Sequence, residues 1–246
     1  KDGYFLKIIV KEVGINRHFP LGSIIADNST RNFTNDLVGH IQYVDNYMLE
    51  DLIEFQKIKF EIVQGYYFNE GLNNTINTVI EELFNERAKK KKEGNPIQIV
   101  FKELMNSAYG KTILKPIEYE TKIFNNTKTY NSFINRNYEF VSEIVNLAGD
   151  NNENNCKRYV KVIKNVFVHK NIPQVGVQVL SRSKRIMNEV IATAEDNNID
   201  IYYQDTDSIH IKEEDINTLT QIYKNKYGRE LEGKKLGQFH PDFDFE

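Results

Sequence analysis

Apolar and polar positions along the chain change period several times, and each change marks an element. Residues 4–13 mix β-branched and aromatic side chains and predict a strand. Residues 19–40, with Pro20, Gly22 and Gly39, predict turns. Over residues 45–55 the period becomes helical: Met48, Leu49, Leu52 and Phe55 share one face, and Asp45 stands where a cap belongs. Residues 60–68 predict a second strand. Over 72–92, Ile76, Val79, Ile80, Leu83 and Phe84 recur at helical spacing until Gly94-Asn95-Pro96 breaks the pattern. Pro96 is placed to open another helix running to about residue 109, with Ile97, Val100, Phe101, Leu104 and Met105 as its buried stripe. A loop this short makes the two helices an antiparallel hairpin.

Residues 111–172 carry strand-like pieces around an Asn-rich stretch, 150–155, that predicts an exposed loop tip. A long amphipathic helix follows over 177–196, with Leu180, Met187, Val190, Ile191 and Ala194 inward. Two short strands, 200–203 and 208–212, flank a tight turn at Asp205-Thr206-Asp207. No internal repeat is visible. Strands and helices without βαβ alternation point to an α+β fold.

A chain of 246 residues suits one large domain or two small ones. With 40% hydrophobic and 27% charged residues it can build a core, which excludes global disorder. No apolar run is long enough to span a bilayer and no signal-peptide pattern opens the chain, so the expected location is intracellular with no membrane partner. A single cysteine, Cys156, excludes an internal disulfide and fits a reducing compartment. The first residue is Lys1 rather than Met, and the chain reads as a piece of a longer protein. A net charge of −3 is not the footprint of a protein that binds nucleic acid with its whole surface, but it leaves room for a local basic groove beside metal-holding acids.

The turn carries the sharpest chemistry. Ile199, Ile201 and Tyr203 alternate with Asp200, Tyr202 and Gln204, and Ile209 and Ile211 with His210 and Lys212, so each flank predicts a strand with one buried face. Between the flanks, Asp205 and Asp207 crowd two carboxylates one residue apart, which repel unless a cation neutralises them. Oxygen donors of this kind suit Mg²⁺, which takes one or two carboxylates plus substrate phosphates. Asp-x-Asp-Ser is also ordinary turn chemistry. What favours the metal is the aromatic support expected just before the acids.

A second constellation lies on the helical pair. Lys102, Asn106 and Tyr109 stand at i, i+4 and i+7 and share a face, with Gln98 one turn earlier; Arg87 and Lys91 are i and i+4 on the preceding helix. A nucleoside triphosphate needs cations for its phosphates and a flat wall for its base and sugar, which Lys102, Arg87 and Tyr109 supply. Lys89–Lys92 reads equally well as a solvated charge run or a localisation patch.

Together these strings resemble a known family. Lys102-Glu-Leu-Met-Asn106-Ser107-Ala-Tyr109-Gly110 is similar to the fingers motif of B-family DNA polymerases, Lys-x-x-x-Asn-Ser-x-Tyr-Gly. Tyr203-Gln-Asp205-Thr206-Asp207-Ser208 is similar to their second metal motif, Tyr-x-Asp-Thr-Asp-Ser. Lys234-Lys235-Leu236-Gly237 resembles the segment leading from palm to thumb, and the likeness runs over roughly residues 45–245. Compact spacing before the fingers resembles the protein-primed subgroup of phages, linear plasmids and viruses.

The resemblance implies an antiparallel palm sheet backed by helices, a two-helix fingers hairpin, and template-directed transfer of deoxynucleotides to a primer 3′-end. It divides the chain into palm-associated strands and helix (1–70), fingers (71–110), an insertion or palm connection (111–172) and palm with the metal hairpin (173–246). It assigns Asp205 and Asp207 to metal, two Mg²⁺ ions being expected in a complete site. Arg87, Lys91, Gln98, Lys102, Asn106 and Tyr109 fall to nucleotide, and Arg182, Lys184, Arg185 and Lys235 to DNA. The implied partners are primer-template DNA, a deoxynucleoside triphosphate and a terminal protein primer.

The family's first metal motif, an Asp followed by Ser-Leu-Tyr-Pro, is absent, and its thumb motif, Lys-x-Tyr, would lie after Glu246, so the fragment alone is expected to be inactive. Two rivals stand beside this reading. Reverse transcriptases place their paired acids side by side, whereas Thr206 separates them here. The other is an inactive polymerase remnant or a module that only binds nucleic acid; the missing first Asp favours it if the parent gene begins at Lys1, whereas a binding-only module has no need of crowded metal-ligand acids.

Overall fold

A computed structural model describes residues 2–27, 29–69, 71, 75–114, 118–147, 157–164 and 171–241. The fold is mixed α+β, with antiparallel sheets and six α-helices among the described residues. None of these helices is long and apolar enough to cross a membrane. The chain divides into two compact units, residues 1–85 with 177–246, and residues 86–176.

In the first unit, β1 (Gly3–Glu12) is the centre of a three-stranded antiparallel sheet between β4 (Ile41–Asp45) and β5 (Lys59–Phe68). The short hairpin β2 (Ser23–Ile25) and β3 (Arg31–Phe33) occupies the turn-rich stretch. Alternation decides what the sheet buries: Ile8 and Val10 of β1 and Val44 of β4 point to one face, against Leu49, Leu52 and Phe55 of α1 (Asn46–Gln56). The expected Asp45 cap is present. Its side chain accepts from the Met48 amide at 2.9 Å, satisfying one of the donors that a helix start leaves open.

A second cluster joins α5 (Pro173–Asp196) to α6 (Glu213–Tyr227) through Val190, Ala194, Leu219 and Tyr223. Buried polar residues staple both clusters. Asp51 of α1 accepts from Arg185 Nε at 2.6 Å and from Asn188 Nδ2 at 2.8 Å, both on α5. Glu189 takes the Tyr223 hydroxyl at 2.8 Å and the Arg229 guanidinium. Arg17 donates to the Phe55 carbonyl at 2.8 Å and to Asp196 at 2.6 Å. α2 (Thr75–Lys92) begins in this unit and ends in the next.

The second unit holds α3 (Gln98–Thr112) and a three-stranded antiparallel sheet in the order β6-β8-β7. Its strands are β6 (Tyr119–Phe124), β7 (Val141–Leu147) and β8 (Lys157–Ile163), with α4 (Thr127–Asn137) between the first two. Val160 and Val162 of β8 are its buried centre. The predicted loop tip at 150–155 lies outside the described residues.

Several expectations need correction. Pro96 does not open α3: the helix starts at Gln98, after a turn in which the Asn95 side chain accepts from the Ile97 amide at 3.0 Å. The apolar stripe of α3 is not buried: Ile97, Val100 and Leu104 are 46–54% exposed, and Phe101 and Met105 are half-buried. In α2, Ile76 and Val79 are exposed as well, and in α5 Leu180 is exposed while Met187, Val190, Ile191 and Ala194 are buried as expected. No helix is predicted over α4 or α6 (Glu213–Tyr227). Their apolar positions nevertheless recur at helical spacing, Tyr130, Phe133 and Ile134 in α4 and Ile216, Leu219, Ile222 and Tyr223 in α6.

Candidate functional site: the acidic hairpin and the helix face

The acidic turn is the tip of a minimal hairpin, β9 (Tyr203–Asp205) and β10 (Ser208–His210). Asp205 pairs with Ser208, Gln204 with Ile209 and Tyr203 with His210, which leaves a loop of two residues, Thr206 and Asp207. Thr206 has φ +43°, in the left-handed region, and it alone of the two loop residues does so. A positive φ at the first loop position is the feature of a type II′ turn, which matches the twist of the flanking strands and normally uses glycine. Holding a β-branched residue there costs about 1–2 kcal/mol. Such strain persists only where neighbours impose it, and outliers of this kind concentrate at functional sites.

Support comes from one side. Ile199, Ile201, Ile209 and Ile211 pack into the cluster formed with α5 and α6, so the hairpin has a fixed underside. The expectation that the aromatic flank is buried fails: Tyr202 is 61% and Tyr203 55% exposed. The strands are also shorter than predicted, and the isoleucines before Tyr203 reach the core from extended chain rather than from β9. On the face that carries Asp205, the Tyr203 ring meets His210 edge-on at 5.2 Å across the strands. In the sequence His210 stands only as a polar position alternating with Ile209 and Ile211, and period-two spacing from Ser208 places it on that face.

Both aspartates are exposed. Asp205 Oδ1 accepts from Thr206 Oγ1 at 3.0 Å, and the Asp205 carbonyl accepts from Ser208 Oγ at 3.1 Å. Neither carboxylate is in an ion pair among the described residues, and no three metal-ligating side chains cluster among them. Two hard oxygen donors that no cationic side chain neutralises fit a Mg²⁺ ion, whose remaining positions go to water and phosphate. They do not make a closed protein cage.

On α3, Lys102 and Asn106 are exposed and Gln98 and Tyr109 half-buried, all on the face that their spacing predicts. The Tyr109 carbonyl accepts from Thr112 Oγ1 at 2.7 Å, holding the last turn. Arg87 of α2 is half-buried with a buried Nε that has no hydrogen-bond partner among the described residues, and Lys91 is exposed. The acidic pair belongs to the first unit, and Arg87, Lys91 and the α3 residues to the second.

The cations matched to DNA differ in how free they are. Arg182 is exposed, its guanidinium 4.8 Å from the Tyr47 ring. Lys184 and Lys235 are exposed. Arg185 is committed to the scaffold through Asp51, Glu50 at 2.8 Å and the Tyr47 carbonyl at 2.9 Å. Sequence reasoning also missed Asp51, whose buried carboxyl is pushed up from 3.8 to about 6 by desolvation, against the pull of Asn188 and Arg185. Its only signal was an acid set between Leu49 and Leu52 on an apolar helix face. No family model, no curated protein and no solved structure matches the chain.

Proposed function

We propose that this chain is the nucleotide- and metal-binding part of a template-directed DNA polymerase of the B-family kind, resembling the protein-primed subgroup. The observation that carries the proposal is the strained two-residue turn that presents Asp205 and Asp207 to solvent with no ion-pair partner among the described residues. A turn with no ligand to hold would gain by placing Gly at position 206 and separating its acids. Tyr-x-Asp-Thr-Asp-Ser at this turn and Lys-x-x-x-Asn-Ser-x-Tyr-Gly on α3 support the same reading.

In this reading β4-β1-β5 with α1, together with the acidic hairpin, serve as palm, and α2 and α3 as fingers. Asp205 and Asp207 hold Mg²⁺, which when bound supplies Lewis-acid stabilisation of triphosphate charge. Lys102 and Arg87 bind phosphate oxygens, assisted by Lys91. Gln98, Asn106 and Tyr109 shape the pocket for base and sugar, Tyr109 by its ring face. Arg182, Lys184 and Lys235 offer phosphate contacts to primer-template, Arg185 orienting α5 from beneath. The substrates are a deoxynucleoside triphosphate and primer-template DNA, with a terminal protein as the expected primer, and a further palm carboxylate is required beyond those on this hairpin.

The test has two readouts. Terbium stands in for Mg²⁺ and is excited through nearby tyrosines, of which Tyr202 and Tyr203 flank the acids; Asp207→Asn is expected to lose most of that luminescence. In the polymerase carrying this chain, the same change is expected to abolish nucleotide incorporation and spare primer-template binding. Lys102→Ala is expected to weaken triphosphate binding by about 1.5–3 kcal/mol, roughly tenfold to a hundredfold in Kd. Unchanged terbium luminescence in Asp207→Asn, with incorporation retained, sinks the metal assignment.

A further inference from the structure

The second unit carries a cleft that the polymerase reading does not use. α4 is capped by Asn126, whose Oδ1 accepts from the amides of Lys128 at 2.8 Å and Thr129 at 3.3 Å. Those amides are thereby occupied, so the helix end offers no anion site of its own. Along the helix, Lys128, Ser132 and Arg136 stand at i, i+4 and i+8 and form one exposed polar stripe. With Thr129 and the half-buried rings of Phe124 and Phe133, they line a cleft of about 480 Å³.

The charge pattern around this cleft is one-sided. No acidic side chain among the described residues lines it. Neither Lys128 nor Arg136 is in an ion pair among the described residues. Neighbouring cations are already engaged: Lys122 lies 3.7 Å from Glu120 and 5.0 Å from the Phe133 ring, and Arg158 lies 4.4 Å from the Tyr130 ring. The floor is aromatic, Phe124 and Phe133 packing at 5.0 Å with a 38° tilt.

We propose that this cleft binds single-stranded nucleic acid, with phosphodiester oxygens on Lys128 and Arg136 and a base against the Phe124–Phe133 floor. Eight residues of α-helix spread the two cations over about 12 Å, which suits a repeating phosphodiester better than one phosphate group. The Ser132 hydroxyl and the two cations above an aromatic floor are what an unpaired strand needs, because its bases are available to stack. A duplex keeps its base faces inside and cannot use that floor.

The experiment uses the whole chain and a fluorescein-labelled oligothymidylate. Anisotropy titrations between about 50 and 200 mM salt give the slope of log K against log salt, which for single strands is roughly 0.7 per phosphate neutralised. Lys128→Glu/Arg136→Glu, both exposed, is expected to lower that slope by about 1.4, two phosphates' worth. The Lys89–Lys92 run on α2 can also bind a strand, so lysine acetylation footprinting of the unaltered chain localises the contact independently of any variant. Saturating oligothymidylate is expected to protect Lys128 several-fold. An unchanged slope in the double variant with Lys128 acetylated at the same rate overturns the proposal. So does protection of Lys128 by polyglutamate, or by inorganic phosphate alone, at matched charge concentration.

Discussion

Replacing Asp51 with an asparagine is expected to change how stability depends on pH. Asp51 is 1% exposed and accepts from Arg185 Nε and Asn188 Nδ2, yet desolvation outweighs these partners and lifts its pKa from 3.8 to about 6. The folded value is above the unfolded one, so between about pH 4 and 6 the native state holds a proton that the unfolded chain has lost. Stability from this group is then fullest at low pH and falls as pH rises, by about 1.4 kcal/mol per unit within that window. A shift of about two units makes the whole effect roughly 3 kcal/mol. The replacement amide keeps an acceptor for Arg185 and a donor for a flipped Asn188 but does not titrate. Other carboxylates, Asp45 among them, titrate in both proteins, so the difference between the two isolates Asp51. The chain has no Trp, and urea unfolding is best followed by far-UV circular dichroism at a series of pH values. Asp51→Asn is expected to gain on the unaltered protein by roughly 3 kcal/mol between pH 4 and 7. A difference that does not vary with pH refutes the reasoning, and one of opposite sign shows that the Arg185 ion pair outweighs desolvation. Arg185→Met supplies the complement. It strands a buried carboxylate at neutral pH, costing about 3–5 kcal/mol, and costs less at pH 4 where Asp51 is protonated.

Tyr223→Phe removes the 2.8 Å hydrogen bond to buried Glu189 while leaving Arg229 in place, and is expected to cost about 1.5–3 kcal/mol in urea unfolding; no loss means that Glu189 is satisfied without it. Gly176→Ala places a methyl 2.0 Å from Ile113 Cγ2 and 2.4 Å from Thr112 Oγ1, and is expected to destabilise the second unit by about 1–3 kcal/mol despite the better helix propensity of Ala. Hydrogen exchange of α3 amides reads this locally, and unaltered protection there contradicts the packing argument.

The elements that sequence made legible are those whose period and punctuation agree. α1 has a capping Asp45, a four-residue apolar face and a left-handed C-cap at Lys57, and it forms within a residue of its predicted ends. β1 and β5 likewise follow from β-branched runs. Failures cluster where an apolar face stays open among the described residues. In α3 the apolar stripe has the right spacing, and yet Ile97, Val100 and Leu104 are open to solvent. Periodicity says which residues share a face; whether another element covers that face depends on contacts distant in sequence, which spacing does not encode.

The same distinction divides the site. Asp205, Asp207 and the Lys102 face were legible because they depend on local geometry, a two-residue turn and a helical repeat. The residues that hold the scaffold of the first unit were not, because Asp51, Glu189 and Arg17 are charged side chains whose burial follows from partners more than 30 positions away. A sequence pattern assigns such residues to solvent by default. Arg185 shows the consequence: its neighbours Arg182 and Lys184 are exposed, and the three read as one basic patch, but Asp51 at 2.6 Å withdraws Arg185 from that patch. A buried carboxylate on α1 therefore decides which cations on α5 remain free for a phosphate, and loss of Asp51 would alter that surface without touching it.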